Sequence, residues 1–427
     1  MNPVELMRAS FDAAVAAADP LRVVAAHLPP RPTGRVLVVG AGKAAASMAL
    51  AVERAWPEAA LEGLVITRYA HGAPTRRIRV VEAGHPVPDA AGQDAARNIL
   101  QRASQLRPGD LLLVLISGGG SSLLSLPVPE VSMADLKAVT EALLASGAPI
   151  GEMNVVRKHL SQIAGGKLAL AATARGARVL TLIISDVTGD APTDIASGPC
   201  APDPSTYADA LGVVSRWNVD APPAVADWLQ RGANGDAAET PKPDDPIFAS
   251  VETRVIATAH RSLEAAADVF LAAGVRPVVL GDTVTGEARE VAKVYGALTR
   301  QIRAHNKPFT PPVALISGGE CTVTLPAGTK GRGGRCSEFL LSLAVDLDGA
   351  PDVHALACDT DGIDGTEDNA GASLAPASIK AAAAHGVSAG AALDQRDSYG
   401  FFRAAGSLIF TGPTLTNVND YRVILIQ

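Results

Sequence analysis

Apolar residues gather along the chain into short runs closed by Gly, Ser or Asp: 35–39, 64–67, 111–116, 179–184, 255–257, 277–280, 313–316 and 353–358. Their length and Val/Leu/Ile content predict strands buried on both faces, as parallel sheets require. Between the runs the period changes. Alanine-rich stretches at 44–56, 89–103 and 133–145 repeat apolar residues at helical spacing. This alternation predicts βαβ units, parallel sheets and right-handed crossovers. At the N-terminus Val4, Met7, Phe11 and Val15 mark one helix face until Asp19-Pro20 ends the pattern, which predicts an amphipathic helix lying on the body. No apolar run nears the roughly 20 residues that cross a bilayer, and Glu5 interrupts what a signal peptide would keep apolar. A soluble, cytoplasmic protein without membrane partners is expected.

With 427 residues the chain exceeds one ordinary core. Periodicity breaks most sharply between Arg231 and Ile247, where Gly, Asn, Asp, Thr and Pro-Lys-Pro-Asp-Asp-Pro crowd together. The break predicts one α/β domain over 1–232, a linker over 233–247 and a second α/β domain over 248–427. Leu-Ile-Ser-Gly-Gly occurs twice, at 115–119 and 315–319, so each half holds a strand that empties into a Ser-Gly-Gly turn. Composition adds exclusions. The net charge of −7 is spread without a basic stripe, which removes nucleic acid from the expected partners. Cys200, Cys321, Cys336 and Cys358 show no CxxC spacing and predict reduced thiols rather than disulfides or structural zinc.

In open α/β sheets ligands collect beyond the carboxyl ends of strands, and each polar cluster of note follows an apolar run. Gly40, Gly42 and Ala45 satisfy the GxGxxA of a dinucleotide turn. The second strand, however, ends in Thr67-Arg68 rather than the acidic residue that holds an NAD ribose, which leaves NADP open. A Walker P-loop cannot be laid over the segment. Lys43, at the helix start, is placed to neutralise a phosphate or carboxylate; the plain alternative is a tight turn with a solvated lysine. Ser117-Gly118-Gly119-Gly120-Ser121-Ser122 offers backbone amides to an anion, or else close strand–helix packing. GxSxG is absent, so no serine nucleophile is expected.

Asp186, Asp190 and Asp194 follow the 179–184 run; they can hold Mg²⁺ or accept a hydroxyl proton, although Asp also forms ordinary turns. Glu320 precedes a Gly-rich loop over 328–335 in which Arg332 and Arg335 offer planar forks for phosphate or carboxylate. Asp359, Asp361 and Asp364 lack the spaced Glu of an EF-hand and read either as Mg²⁺ or hydroxyl ligands or as an Asp-rich turn. His85 and His159 lack paired metal-ligand spacing and read as hydrogen-bonded loop or helix residues.

Taken in order, VGAGKAAASMA, EAGHPVPD, LISGGGSSLL, RKHLSQIAGGKLA, SDVTGDAPTDIASGP, ISGGECTV, GRGGR and DTDGIDG resemble the glycerate 2-kinase family that ends in a MOFRL domain, whose members are often labelled hydroxypyruvate reductases. The resemblance implies a larger N-terminal Rossmann-like three-layer domain, a smaller C-terminal α/β domain with its MOFRL region over about 312–420, and an active site in the cleft. It implies transfer of the γ-phosphoryl group of ATP, with Mg²⁺, to the 2-hydroxyl of D-glycerate. It also implies functional roles for Lys43, Asp186, Glu320, Arg335, Asp361 and Asn417. One departure stands out: the family reads Gly-Gly-Arg-Asn where this chain has Gly333-Gly334-Arg335-Cys336, which removes a side-chain amide.

On this reading Lys43 and Arg335 neutralise the transferring phosphoryl group or the glycerate carboxylate, and Asp186 accepts the hydroxyl proton. Asp190 and Asp361 hold Mg²⁺. Gly40, Gly42, Ser117, Gly118, Gly119, Gly120, Ser121, Glu320, Gly333, Gly334 and Asn417 contact substrate or nucleotide. Replacing Lys43 or Arg335 by Ala is expected to cut turnover and leave the fold intact. Glycerate and ATP are the expected partners, and a homo-oligomer is compatible with them. Two other readings stand beside this one. The first is an NAD(P)H-dependent hydroxypyruvate reductase with Arg68 on a 2′-phosphate and His85 or His159 as proton donor. The second is a non-catalytic sugar-acid sensor.

Overall fold

Strands form where the apolar runs leave no face for water. In the computed structural model, which describes every residue except Met1, Arg31, Thr33 and Ala327, β1 (Val36–Ala41) and β4 (Leu111–Ile116) are buried along their whole length. They share a sheet with β2 (Leu61–Arg68), β3 (Ile78–Ala83), β5 (Arg178–Ile184) and β6 (Val251–Ala257). The order is β3-β2-β1-β4-β5-β6, and the pairings from β3 through β5 are parallel. That is the strand order of a doubly wound sheet, whose winding reverses between β1 and β4 and leaves a crevice beyond their carboxyl ends. Close pairing depends on Gly63, at φ 150°, where a Cβ would stand 1.7 Å from the Val38 carbonyl oxygen. The expected helices appear as Ala45–Ala55, Ala90–Ala103 and Met133–Ser146.

The chain divides into two units, residues 20–256 and residues 1–19 with 257–427. This differs from the boundary read from composition. The 233–247 stretch is fastened to the first unit: the Asp203 amide donates to the Pro241 carbonyl (2.9 Å), the Thr240 hydroxyl to Asp203 (3.1 Å) and the Tyr207 amide to Glu239 (2.9 Å). Asp203 also pairs with Lys158 at 2.9 Å, both buried. Irregular sequence marks irregular backbone here, and its polar groups bond inward.

In the second unit the strands are β7 (Arg276–Gly281), β8 (Gly286–Glu287), β9 (Val313–Ser317), β10 (Cys321–Thr322), β11 (Val353–Asp359), β12 (Gly371–Leu374), β13 (Leu408–Ile409) and β14 (Asp420–Ile426). β8 and β10 form a two-stranded ladder. The main sheet runs β13-β12-β11-β14-β9-β7. In that sheet β7 and β9 pair in parallel, whereas β14 lies antiparallel between β9 and β11. The expectation of parallel sheets therefore fails here, because the last strand enters the middle of the sheet from a loop rather than a crossover helix.

Alternation along β14 serves two cores. Tyr421, Val423 and Leu425 face a layer containing Leu6, Met7, Phe11 and Phe270, whereas Ile424 and Ile426 face Phe339, Leu340 and Leu343. The N-terminal helix, Pro3–Ala17, thus belongs to the second unit, and its Ser10 hydroxyl lies 2.7 Å from the Tyr421 hydroxyl. No helix among the described residues is long and apolar enough to cross a membrane.

The Arg335–Leu347 helix begins after Gly334, which has no side chain to cap it. Asp364 does so from the loop after β11, accepting from the Cys336 amide (3.0 Å), the Ser337 amide (2.9 Å) and the Ser337 hydroxyl (2.5 Å). Burial raises the Asp364 carboxyl to about 6, against the pull of those donors. The folded chain therefore holds this proton more tightly than the unfolded chain, and stability from this group falls as pH rises from about 4 to about 6. Across that window denaturant unfolding should show the wild-type chain losing stability relative to Asp364→Asn. Parallel curves would contradict this.

Candidate functional site

At the reversal between β1 and β4 the chain folds its own amides inward. The Gly42 amide donates to the Ile66 carbonyl (3.0 Å), the Lys43 amide to the Gly118 carbonyl (2.8 Å) and the Ala44 amide to Ser117 Oγ (2.9 Å). Gly40 and Gly42 are required by that packing, since a Cβ would stand 2.0 Å from the Leu115 carbonyl oxygen and 2.2 Å from Ser117 Oγ respectively. Ser117 is fully buried. The amides of Gly42, Lys43 and Ala44 are thus spent within the fold, and Gly40, Gly42 and Ser117 shape the crevice from behind. Lys43, half-buried, stands at the head of the Ala45–Ala55 helix.

The open backbone lies one turn further along. Among the described residues the amides of Gly118, Gly119, Ser121 and Ser122 have no hydrogen-bond acceptor, while that of Gly120 donates to the Ser117 carbonyl (3.2 Å). Gly119 takes φ 80°, and a Cβ on it would stand 2.7 Å from the His85 ring. Ser121 Oγ lies 3.0 Å from Ser197 Oγ, which donates to Asn154 (3.2 Å). Ala196, Ser197 and Gly198 are all left-handed, at φ 52°, 57° and 60°. For the two non-glycines this is a strain of about 1–3 kcal/mol each, of the kind that collects at functional sites.

Asp186 and Asp190 sit partly exposed on the loop after β5, with the Asp190 amide closing a turn onto the Val187 carbonyl (3.1 Å). His159 is a core residue: Nδ1 lies 2.8 Å from the Val155 carbonyl and Nε2 3.3 Å from Glu239, its ring packs edge-on against Tyr207, and burial lowers its pKa. That environment does not suit the proton donor of a reductase. Among the described residues no three His, Cys, Asp or Glu side chains are grouped to hold a metal.

The second unit concentrates charge where the carboxyl ends of β9 and β11 meet the amino end of β14. Arg335, at the start of its helix, donates through Nε to Asp420 (2.7 Å), through one terminal nitrogen to Glu320 (2.5 Å) and through the other to Asp359 (2.9 Å). Asp420 also accepts from Arg422 (2.5 Å), which reaches the Gly318 carbonyl at 3.0 Å. Burial alone would disfavour the Arg335 charge, but Asp420, Asp359 and Glu320 outweigh it and hold the group cationic. Asp359 and Asp420 are buried, whereas the Glu320 side chain is 56% exposed. Asp361 is buried, and its Oδ1 accepts the Ile363 amide (2.9 Å); the buried Asn417 accepts the Asn419 amide (3.3 Å).

Gly333 and Gly334 serve packing, since a Cβ would stand 2.0 Å from Ser398 Oγ and 2.2 Å from Asp364 Oδ1. Arg332 is turned away, its guanidinium 4.6 Å from the centre of the Tyr399 ring and 3.5 Å from Glu367. Cys336 points into the core, so the departure from the family's Asn falls on an interior position, and all four cysteines are buried free thiols. Sequence reasoning missed Asp420 and Arg422, the pair that ties this cluster together. They open a strand, whereas polar residues were sought where strands close; the signal was a charged pair directly ahead of the final run Val-Ile-Leu-Ile.

Comparison with known proteins agrees with this architecture. Residues 6–230 match the model of a domain of unknown function, DUF4147, and residues 313–420 match the MOFRL family. A protein of Agrobacterium vitis, named provisionally as a hydroxypyruvate reductase, is 51% identical over 99% of this chain and 94% of its own. The glycerate 2-kinase of Pyrococcus horikoshii is 38% identical over 92% of this chain and 88% of its own. The crystal structure of a glycerate kinase from Thermotoga maritima superimposes with a TM-score of 0.87 and 36% identity, covering all of both chains. With full-length relatives at these identities, the chain belongs to the glycerate 2-kinase family, a DUF4147 domain followed by a MOFRL domain.

Proposed function

We propose that the chain is an ATP-dependent kinase that phosphorylates the 2-hydroxyl of D-glycerate. The observation that carries this reading is the full-length match to a glycerate kinase structure in a chain that places a lysine, Lys43, at the reversal of its first sheet and a charge-rich edge around Arg335 on its second. Phosphoryl transfer needs positioning and neutralisation of spreading negative charge more than covalent chemistry. Lys43 supplies a point charge. Arg335 supplies a planar fork whose exposed partner, Glu320, can give way to an incoming phosphoryl or carboxylate group.

Asp186, partly exposed on the loop after β5, is the residue we assign to accept the hydroxyl proton. Mg²⁺, when bound, spreads charge between the nucleotide phosphates and asks for only one or two carboxylates, because it keeps several waters. Asp190, partly exposed, fits that demand; Asp361, buried with Oδ1 committed to a backbone amide, fits it less well. The reductase reading draws on the name of the Agrobacterium vitis relative. It lacks an acidic ribose partner, and the amides of Gly42, Lys43 and Ala44 at the first glycine turn are already spent within the fold.

Purified protein given D-glycerate and Mg-ATP should yield 2-phosphoglycerate. Its phosphorus couples to one carbon-bound proton and gives a doublet in the ³¹P spectrum; a triplet would place the phosphate on the 3-hydroxyl and correct the regiochemistry. Lys43→Ala should lower kcat by about a hundredfold or more, in the range of a lost transition-state charge contact, without a comparable loss of stability. Arg335→Ala should do both. It leaves the buried Asp359 without its cation and Asp420 with Arg422 alone, and a broken buried pair costs about 3–5 kcal/mol, so this variant should lose stability where sequence alone predicts an intact fold. A thermal melt and initial rates on each variant check the contrast.

A further inference from the structure

Beside the Gly118–Gly120 turn the first unit holds a partly open cavity of about 230 Å³. Pro86, Pro88, Leu124, Leu126 and Leu136 make its walls largely apolar, and Ser121, Ser122 and Ser197 bring hydroxyls to it. Arg157, from the Ile150–His159 helix, also lines it. Among the described residues Arg157 has no hydrogen-bond or ion-pair partner, and burial, with no carboxylate to offset it, pulls its pKa down.

The charged residues next to it along the chain are engaged. Lys158 pairs with Asp203, His159 bonds Val155 and Glu239, and Lys167 donates to the carbonyls of Lys158 and Ser161. Lys137 and Glu141 also line the cavity, yet Glu141 forms no ion pair with Arg157. Arg157 is half-buried and its guanidinium nitrogens still reach solvent, so at the cavity wall it offers an anion arriving from solution a planar charged partner.

We propose that this cavity receives the nucleoside end of the nucleotide and that Arg157 binds one of its phosphates, an inference that rests on the kinase reading above. Glycerate carries oxygen on every carbon and gains little from apolar walls. A purine is flat and largely apolar, the shape and polarity that such walls suit. Ser121 and Ser122, whose amides are open, line the same space and can take further phosphate oxygens.

Calorimetric titration of ADP, without glycerate, into the wild-type chain, Arg157→Gln and Thr140→Trp tests it, with a thermal melt confirming that each is folded. Thr140 lines the cavity, so tryptophan there fills the space while leaving Arg157 in place. Arg157→Gln should weaken ADP by about tenfold or more, the value of one charge-assisted contact, and Thr140→Trp should abolish binding. The KM for glycerate should stay unchanged in Arg157→Gln. Unaltered ADP affinity in the folded variants would overturn the proposal, as would a raised glycerate KM at unaltered ADP affinity, which would give the cavity to the acid. Binding is read here without turnover. A wild-type chain that binds ADP through Arg157 yet leaves glycerate untouched would sink the kinase reading and keep the cavity assignment.

Discussion

One carboxylate, Asp420, carries two guanidinium groups, Arg335 on one oxygen and Arg422 on the other, and the charged edge of the second unit is built around that contact. It exists because β14 slots antiparallel between β9 and β11, so that its first residues arrive beside the last residues of its neighbours: Asp420 opposite Asp359, Arg422 opposite Ser317. Three carboxylates this close repel one another. Two arginines set among them offset that repulsion. Arg422 then fixes the Gly318 carbonyl, and Arg335 ties the head of its helix to both neighbouring strands. Among the described residues Glu320, on the solvent side, is held by Arg335 alone.

The two Ser-Gly-Gly turns show how one short sequence meets two demands. In both, the second glycine takes a positive φ, 80° at Gly119 and 105° at Gly319, because each strand must leave its sheet abruptly under a close neighbour. Around the first, Ser117 buttresses the preceding glycine turn and leaves the following amides open. Around the second, the carbonyls face Arg422 and the Asp420 amide donates to Gly319. Parallel strands in one unit and an inserted antiparallel strand in the other lie behind the difference, so the echo reflects a common way out of a strand rather than a common sheet.

Much of the first unit was legible because buried parallel strands write themselves as unbroken apolar runs; β1, β4 and β5 fall within a residue or two of their expected ends. β3 escaped because it is an edge strand, with Arg79 and Glu82 breaking the run. β14 escaped for a different reason, since its polar opening residues are satisfied by partners distant in the sequence. Motifs located the glycines and charges but not their duties. Gly40, Gly42, Gly333 and Gly334 are spent on close packing, Arg332 stacks on Tyr399, and Asp364 caps a helix. Each of those outcomes depends on what lies across the gap, which spacing along the chain does not encode. Lys43 and Arg335 were found where strand-end logic expects chemistry.

Whether this architecture moves a phosphoryl group rather than a hydride is tested most directly by a side-by-side assay on one preparation: ADP release with D-glycerate and Mg-ATP, and loss of NADH or NADPH absorbance with hydroxypyruvate. A glycerate kinase gives glycerate-dependent ADP release and unchanged nicotinamide absorbance. Hydroxypyruvate-dependent oxidation of either nicotinamide, with no ADP release, would contradict the kinase reading.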